Sequence, residues 1–589
     1  MAQLLNPKTS IRNILGNTGM MVNENISNTI GTPLDILTSK FTGKRTVGLP
    51  SLKTQLEGGI EGFKSGIRQT KLGITSDNTQ YDLPQGQVFS NNTVLGKAAN
   101  TGQKVLDYLL RVPDQVSKEA IKADSLRVQM KLAGVKVPTE DMKIAAENDA
   151  KYGTFQDDTL LAQAFSKIKS ALNLGKEFGL GSSVLKYPKT PANIVMRAVD
   201  YSPAGFFKSV YRLAEPLITG NEFNQRAFVK ETSRALVGTG NLIGTGYVLG
   251  KLGIVTGKSS ADTDTANMQK QTGLGDYKLN LSALKRFVTS GFDTKQAKIQ
   301  KGDKLINYDW FQPSSIGLAM GANYAEDSGK GTDVLTKITN AFNSGTDTLM
   351  QQPLMSGLTN FFASTKYGAG NAIATTLKGV PASFMPTILK QVAQLTDNTT
   401  RSTYDPNLKQ QALNQVKAKI PGLSNTLQPK LNSLGNEQKA YENNSFGNVF
   451  LNPAFNTTYN PKQEAQLPID IYNNTGNTTS MPRQTPNYIM YNGQKLKLTA
   501  QENTDYQKNV GQQTAKAISL LGDVKADDST AKLISDLIAT IQKNEKNKIL
   551  EKRGLSTEDA FDPWGAVTKK AQAKDNASTK DTIQSILGY

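Results

Sequence analysis

One run of this chain folds in only a narrow set of ways. Residues 235–257 form 23 positions with Lys251 as their single charge. At 1.5 Å per residue, a helix of that length matches a hydrocarbon layer of about 30 Å. The run is also laced with glycine, and each glycine costs a helix roughly 1 kcal/mol relative to alanine. Something specific must compensate. Gly240-xxx-Gly244 and Gly246-xxx-Gly250 are small-xxx-small pairs, and Gly253 follows them. Such pairs let two helix backbones approach closely. Two environments satisfy the pattern: a tightly packed helix pair inside a soluble bundle, and a membrane-competent helix. They are not exclusive.

The chain has 589 residues, with no cysteine and no histidine. This excludes disulfides, thiolate nucleophiles and Cys/His metal or haem sites. It excludes a Ser-His-Asp triad and a histidine base as well. Adjacent acids such as Glu140/Asp141, Glu326/Asp327 and Glu558/Asp559 sit where turns and helix starts want them. Adjacency in sequence does not converge two carboxylates on one bond. Gly253 to Ser259 imitates a phosphate-binding loop but is one residue short, and no strand precedes it. Gly238, Gly240 and Gly244 depart from the dinucleotide fingerprint. No catalytic residue, metal ligand or cofactor site emerges, and an enzyme is not expected. The formal charge of +18 suits an anionic neighbour, nucleic acid or a phospholipid surface. Met1 to Gly16 lack an apolar block after a basic start, so no secretory leader is expected.

The patterning predicts a mainly α chain: an elongated multi-helix assembly with extended arms and small β-hairpin elements. Residues 1–95, rich in Gly, Asn, Thr and Pro, read as an extended N-terminal arm with short helices. Residues 96–185 read as a helical bundle, with Thr139 capping one helix and an apolar stripe from Leu160 to Leu172. Residues 186–260 read as a helical hairpin followed by the glycine-laced helix. Thr190-Pro191 and Ser202-Pro203 look like helix openers there. Residues 261–330 are mixed β/α, 331–399 helical, and 400–487 an extended Asn/Pro/Thr-rich segment. Residues 488–589 begin with a hairpin around Asn492-Gly493, then a capping box Thr499-x-x-Glu502, then helices.

Several short motifs, in order, resemble the large polyvalent protein-associated regions of bacteriophages, found in internal virion or ejection proteins. They include Thr190, Pro191 and Asn193, then Tyr201 and Pro203, then the glycine run. Trp310-Phe311-Gln312-Pro313 follows, then Arg401, Lys419-Ile-Pro421-Gly422, Gln428-Pro-Lys and Phe450-Leu-Asn-Pro453. The similarity spans roughly 105–550. It implies a protein stored in the capsid interior or tail lumen that leaves with the genome and helps form a DNA passage across the host envelope. Its implied partners are other copies of itself, portal or tail proteins, packaged DNA and the host membrane. Two other readings stand beside it. One is a fixed tail or tape-measure-like component, which the many Pro and Gly breaks disfavour. The other is a cytoplasmic DNA-associated protein of a mobile element.

Overall fold

The computed structural model describes residues 7–72, 94–173, 188–260, 262–311, 314–327 and 387–557. The chain is mainly α, with two small antiparallel sheets. In chain order the helices begin with α1 (Pro7–Thr42), α2 (Leu52–Leu72), α3 (Val94–Ala133), α4 (Glu140–Gly153) and α5 (Leu160–Leu172). Next come α6 (Lys189–Asp200), α7 (Gly205–Thr219) and α8 (Gln225–Leu236). A π-helical segment (Val237–Ile243) leads straight into α9 (Gly244–Lys251). Then follow α10 (Thr263–Gln271), β1 (Lys278–Asn280), α11 (Leu281–Thr289), β2 (Lys304–Asn307) and α12 (Ser314–Asp327). After α13 (Thr387–Thr396) and α14 (Leu408–Lys417) come β3 (Asn456–Thr458), α15 (Gln463–Thr475), β4 (Tyr488–Tyr491), β5 (Gln494–Lys497), α16 (Ala500–Leu520) and α17 (Asp528–Lys552).

Contacts divide the chain into two interleaved units. The first takes residues 1–257, 307–388 and 450–454; the second takes 258–306, 389–449 and 455–589. The seven segments read from the sequence thus regroup. Long-range pairing is the reason: β2 runs antiparallel to β3, with Lys304 opposite Thr458, so residues 154 positions apart share one sheet.

Within the described part of the expected arm, residues 7–72, two long helices stand in place of extended chain, α1 of 36 residues and α2 of 21. Their inward faces explain why no apolar period was visible. Ser10, Asn13, Asn17, Met20, Glu24, Ser27 and Gly31 recur at three- and four-residue spacing and are the buried face of α1. The period is helical, but apart from Met20 its residues are polar or small. The large apolar side chains Val22, Ile30, Leu37 and Phe41 are exposed. On α2 the buried positions are Gln55, Gly59, Gly62 and Gly66. A Cβ on Gly62 would stand 2.4 Å from the Gln115 carbonyl oxygen, so α2 and α3 lie backbone against backbone. Gly58 meets Glu119 and Gly66 meets Val112, which makes the pair antiparallel.

Local signals elsewhere are obeyed. Thr139 Oγ1 accepts the Met142 N–H at the start of α4. Thr499 and Glu502 form both halves of the capping box that opens α16. Arg553 pairs with that Glu502 and, with the Thr499 N–H, holds its carboxyl down to about 2. Asn492 and Gly493 both take positive φ between β4 and β5, as a two-residue hairpin turn requires. Ile489 and Leu498 of this hairpin pack on Tyr506 and Val510 of α16 and on Leu537 and Ile541 of α17. In the 400–487 stretch the extended pieces make bridges at 399–439, 401–429 and 431–437, but α14 and α15 interrupt them. Most of the helical expectation for 331–399 lies outside the described residues, as does the end of the chain after 557; only α13 falls within them.

Candidate functional site

The motif residues of the 186–330 region belong to the first unit, so the site is built from there. α6 does not open on Thr190. Its first residue is Lys189, preceded by Pro188, and no side chain caps it. Thr190 and Pro191 are instead buried in its first turn. Asn193 is fully buried and works as a bracket: its Nδ2 donates to the Phe155 and Asp157 carbonyls at 2.9 and 2.7 Å, and its Oδ1 accepts from Thr159 at 2.9 Å. This ties α6 to the loop between α4 and α5. Tyr201, just past α6, donates its hydroxyl to Glu24 of α1 at 2.7 Å. Pro203 is exposed in the turn before α7. Trp310 donates its indole N–H to the Asn307 carbonyl at 2.9 Å and closes a turn. Pro313 lies outside the described residues.

Glu24 sits at the centre of a buried ionic cluster that sequence reading missed. Arg234 of α8 grips it with two parallel bonds of 2.7 and 2.8 Å. The Tyr152 ring is stacked between two guanidinium groups, Arg197 at 3.4 Å and Arg234 at 3.6 Å from its centroid. Its hydroxyl donates to Asp200 at 2.8 Å, while Arg197 also pairs with Asp157 and donates to the Tyr152 carbonyl. One turn before Arg234, Lys230 shares Asp149 with Arg226. Burial alone would lift the Glu24 carboxyl, but Arg234 and then Lys230 and Tyr201 more than offset it and hold it low. Burial also opposes the charge on Asp149, and Arg226 with Lys230 likewise reverses that. Burial brings Lys230 down to about 8 against the pull of Asp149. Each of these ions faces an opposite charge. A cavity of about 40 Å³ adjoins the cluster, lined by Glu24, Asn28, Gln55, Asp124 and Lys230 among others. This arrangement fixes α1, α4, α6 and α8 to one another.

The glycine run splits by face. A Cβ on Gly246 would stand 2.3 Å from the Leu318 carbonyl oxygen of α12, and one on Gly250 2.9 Å from Ala322 Cα. From the other side, Gly321 meets the Ile243 carbonyl oxygen at 2.1 Å and Gly317 meets Leu242 at 2.6 Å. The seam therefore has small-xxx-small pairs on both helices, Gly246/Gly250 and Gly317/Gly321. Gly238, in the π segment, lies against the Tyr201 carbonyl. Gly240 and Gly244 face open space, and Gly253 adopts φ +73° where α9 ends. Hence, among the described residues, the first sequence pair does not pack and the second does. Among the described residues no helix is long and apolar enough to cross a membrane. The run is helix, π segment, helix and turn, and one of its sides is occupied by α12.

Another buried carboxyl sits where α1 meets α3. Asn13 and Asn17 both donate to Asp114, at 2.7 and 3.1 Å, while their own Oδ1 atoms have no partner. Burial pushes the Asp114 carboxyl up to about 7, against those two amides. In the unfolded chain the group titrates near its ordinary value of about 3.9. Between those two values the unfolded state has lost a proton that the folded state keeps. The contribution of Asp114 is therefore fully present below about pH 4, is lost as pH rises to about 7, and changes little beyond. Asp114→Asn cannot ionise and can donate to an orphaned Oδ1. The variant is expected to be on the order of 2 kcal/mol more stable than the parent at pH 8 and similar to it at pH 4. Urea titrations at the two pH values check this; an equal difference at both would rule it out.

No protein-family model, curated protein or solved structure matches the chain.

Proposed function

We propose that this chain is a bacteriophage virion protein of the internal, ejected kind, which leaves with the genome and helps build a DNA passage across the host envelope. It acts as an assembly part, not as a catalyst. The observation that carries this reading is the inverted dressing of its N-terminal helices. Apart from Met20 and the partly buried Ile26, α1 and α2 turn polar and small residues inward and leave large apolar ones outside. On α2 the exposed stripe is Leu52, Leu56, Ile60 and Phe63, about a quarter-turn round the helix from the glycine seam. Exposed charges Lys53, Glu57, Glu61 and Lys64 border it. An apolar stripe with a charged rim is the anatomy of a protein–protein interface. Such helices suit a chain covered by other copies or by portal and tail proteins. The +18 charge suits non-specific contact with packaged DNA through phosphate neutralisation. The ordered motifs that resemble those of phage ejection proteins supply the class.

Quantitative proteomics of virions before and after genome release tests the proposal. The chain should be present in full particles and lost from emptied ones. Retention in emptied particles would favour the fixed tail component, and absence from virions would end both readings.

A further inference from the structure

The apolar face of α7 differs from those of α1 and α2. Phe207, Val210, Tyr211, Leu217 and Ile218 point outward, with Phe207 at 78% and Leu217 at 91% exposure. On a helical wheel they fill an arc of about 120°. Leu213, at the edge of the arc, is exposed too. Together they offer on the order of 700 Å² of apolar side chain, above the roughly 300–600 Å² of the largest patch on a typical monomer. The buried residues of α7 are only Gly205 and Ser209.

The charges of α7 decide what covers this face. It has three, and all lie along one flank, engaged with the protein. Lys208 pairs with Asp200, and Arg212 pairs with Glu215 and with Glu231 of α8. The outward arc itself carries no charge, so nothing ionic has to be desolvated when it leaves water. Unlike the exposed charges beside the α2 stripe, those of α7 are partly buried and, through Lys208 and Arg212, paired with the body of the protein. α7 is 15 residues long, about 22 Å, too short to span a bilayer but suited to lying along one. Phenylalanine, tyrosine, leucine and isoleucine on one face, with paired charges behind, is the dress of an interfacial helix.

We propose that α7 seats on the surface of a lipid bilayer, with Phe207, Val210, Leu217 and Ile218 entering the boundary between headgroups and acyl chains. The net charge of +18 adds attraction where the lipids are anionic. Contact with the membrane thus falls to α7 and not to the 235–257 run, one side of which α12 already covers. The inference stands apart from the virion reading: the purified chain binds vesicles or does not, whatever virion proteomics returns.

The test uses the full chain with vesicles of phosphatidylcholine alone and of phosphatidylcholine with phosphatidylglycerol. The parent should float with both and bind the anionic vesicles more tightly. Phe207→Trp should give a vesicle-dependent blue shift that shallow brominated lipids quench. Leu217→Glu should weaken binding at least tenfold, and Ile218→Ser several-fold, each with an unchanged thermal melt. Leu56→Glu on α2 should bind as the parent does. Failure of the parent to float with either vesicle, or unaltered flotation of both α7 variants, overturns the proposal. So does a lipid-free oligomer that Leu217→Glu converts to monomer in sedimentation while vesicle binding is absent, since the face would then belong to a second copy.

Discussion

Arg234→Ala is expected to destabilise the first unit by about 3–5 kcal/mol. The guanidinium is the bidentate partner of Glu24, and both side chains are buried to less than a tenth exposure. Its removal leaves a carboxylate in the interior with only the Tyr201 hydroxyl and the more distant Lys230 to answer it. It also removes one of the two cations stacked on Tyr152. Glu24→Gln should cost less, since an amide can still accept from Arg234 and from Tyr201. The double variant Glu24→Gln with Arg234→Met should recover much of the loss, because no unpaired ion remains. Urea unfolding followed by the loss of helical circular dichroism reads the cycle. A loss below about 1 kcal/mol for Arg234→Ala would mean that the pair behaves like a solvated surface bridge.

The second large effect separates two glycines of one run. Gly246→Leu is expected to cost more than about 3 kcal/mol, because its Cβ would fall 2.3 Å from a backbone oxygen and 2.8 Å from Leu318 Cα. A side chain can swing away from a clash, but the backbone of α12 cannot without parting the helices. Gly244→Ala, two positions earlier, meets nothing within 4 Å. It should be neutral or stabilising by up to about 1 kcal/mol, through the better helix propensity of alanine. Thermal denaturation of the full chain compares the two. Shifts of equal sign and size would show that the seam between α9 and α12 does not close in solution.

These two cases also mark how far residue patterns carry. The mainly α class, the Thr139 cap, the capping box at Thr499 and the Asn492-Gly493 turn were all legible, since each signal acts within three or four residues. The glycine run was legible as a close-packing element. Which of its glycines pack was not, because Gly317 and Gly321 lie 71 positions beyond Gly246 and Gly250 and nothing local selects them. The motif residues Asn193 and Tyr201 were singled out, and both proved to be buried connectors. Arg197 and Arg234 were overlooked because an arginine on a helix reads as solvated until its acid is found.

The long N-terminal helices show the same limit most plainly. An apolar heptad announces a buried face, whereas a heptad of Ser, Asn, Glu and Gly reads as loop. What buries it is chemistry held elsewhere in the chain: Asp114 for Asn13 and Asn17, and Arg234 for Glu24, 210 positions away. From its own residues the chain determines that it is helical, basic and without cysteine or histidine, because propensity, capping and composition are local properties. Only the tertiary structure decides which charges are buried and which apolar faces remain outside. Burying a charge is permitted only where its counter-ion arrives, and that meeting is a property of the fold.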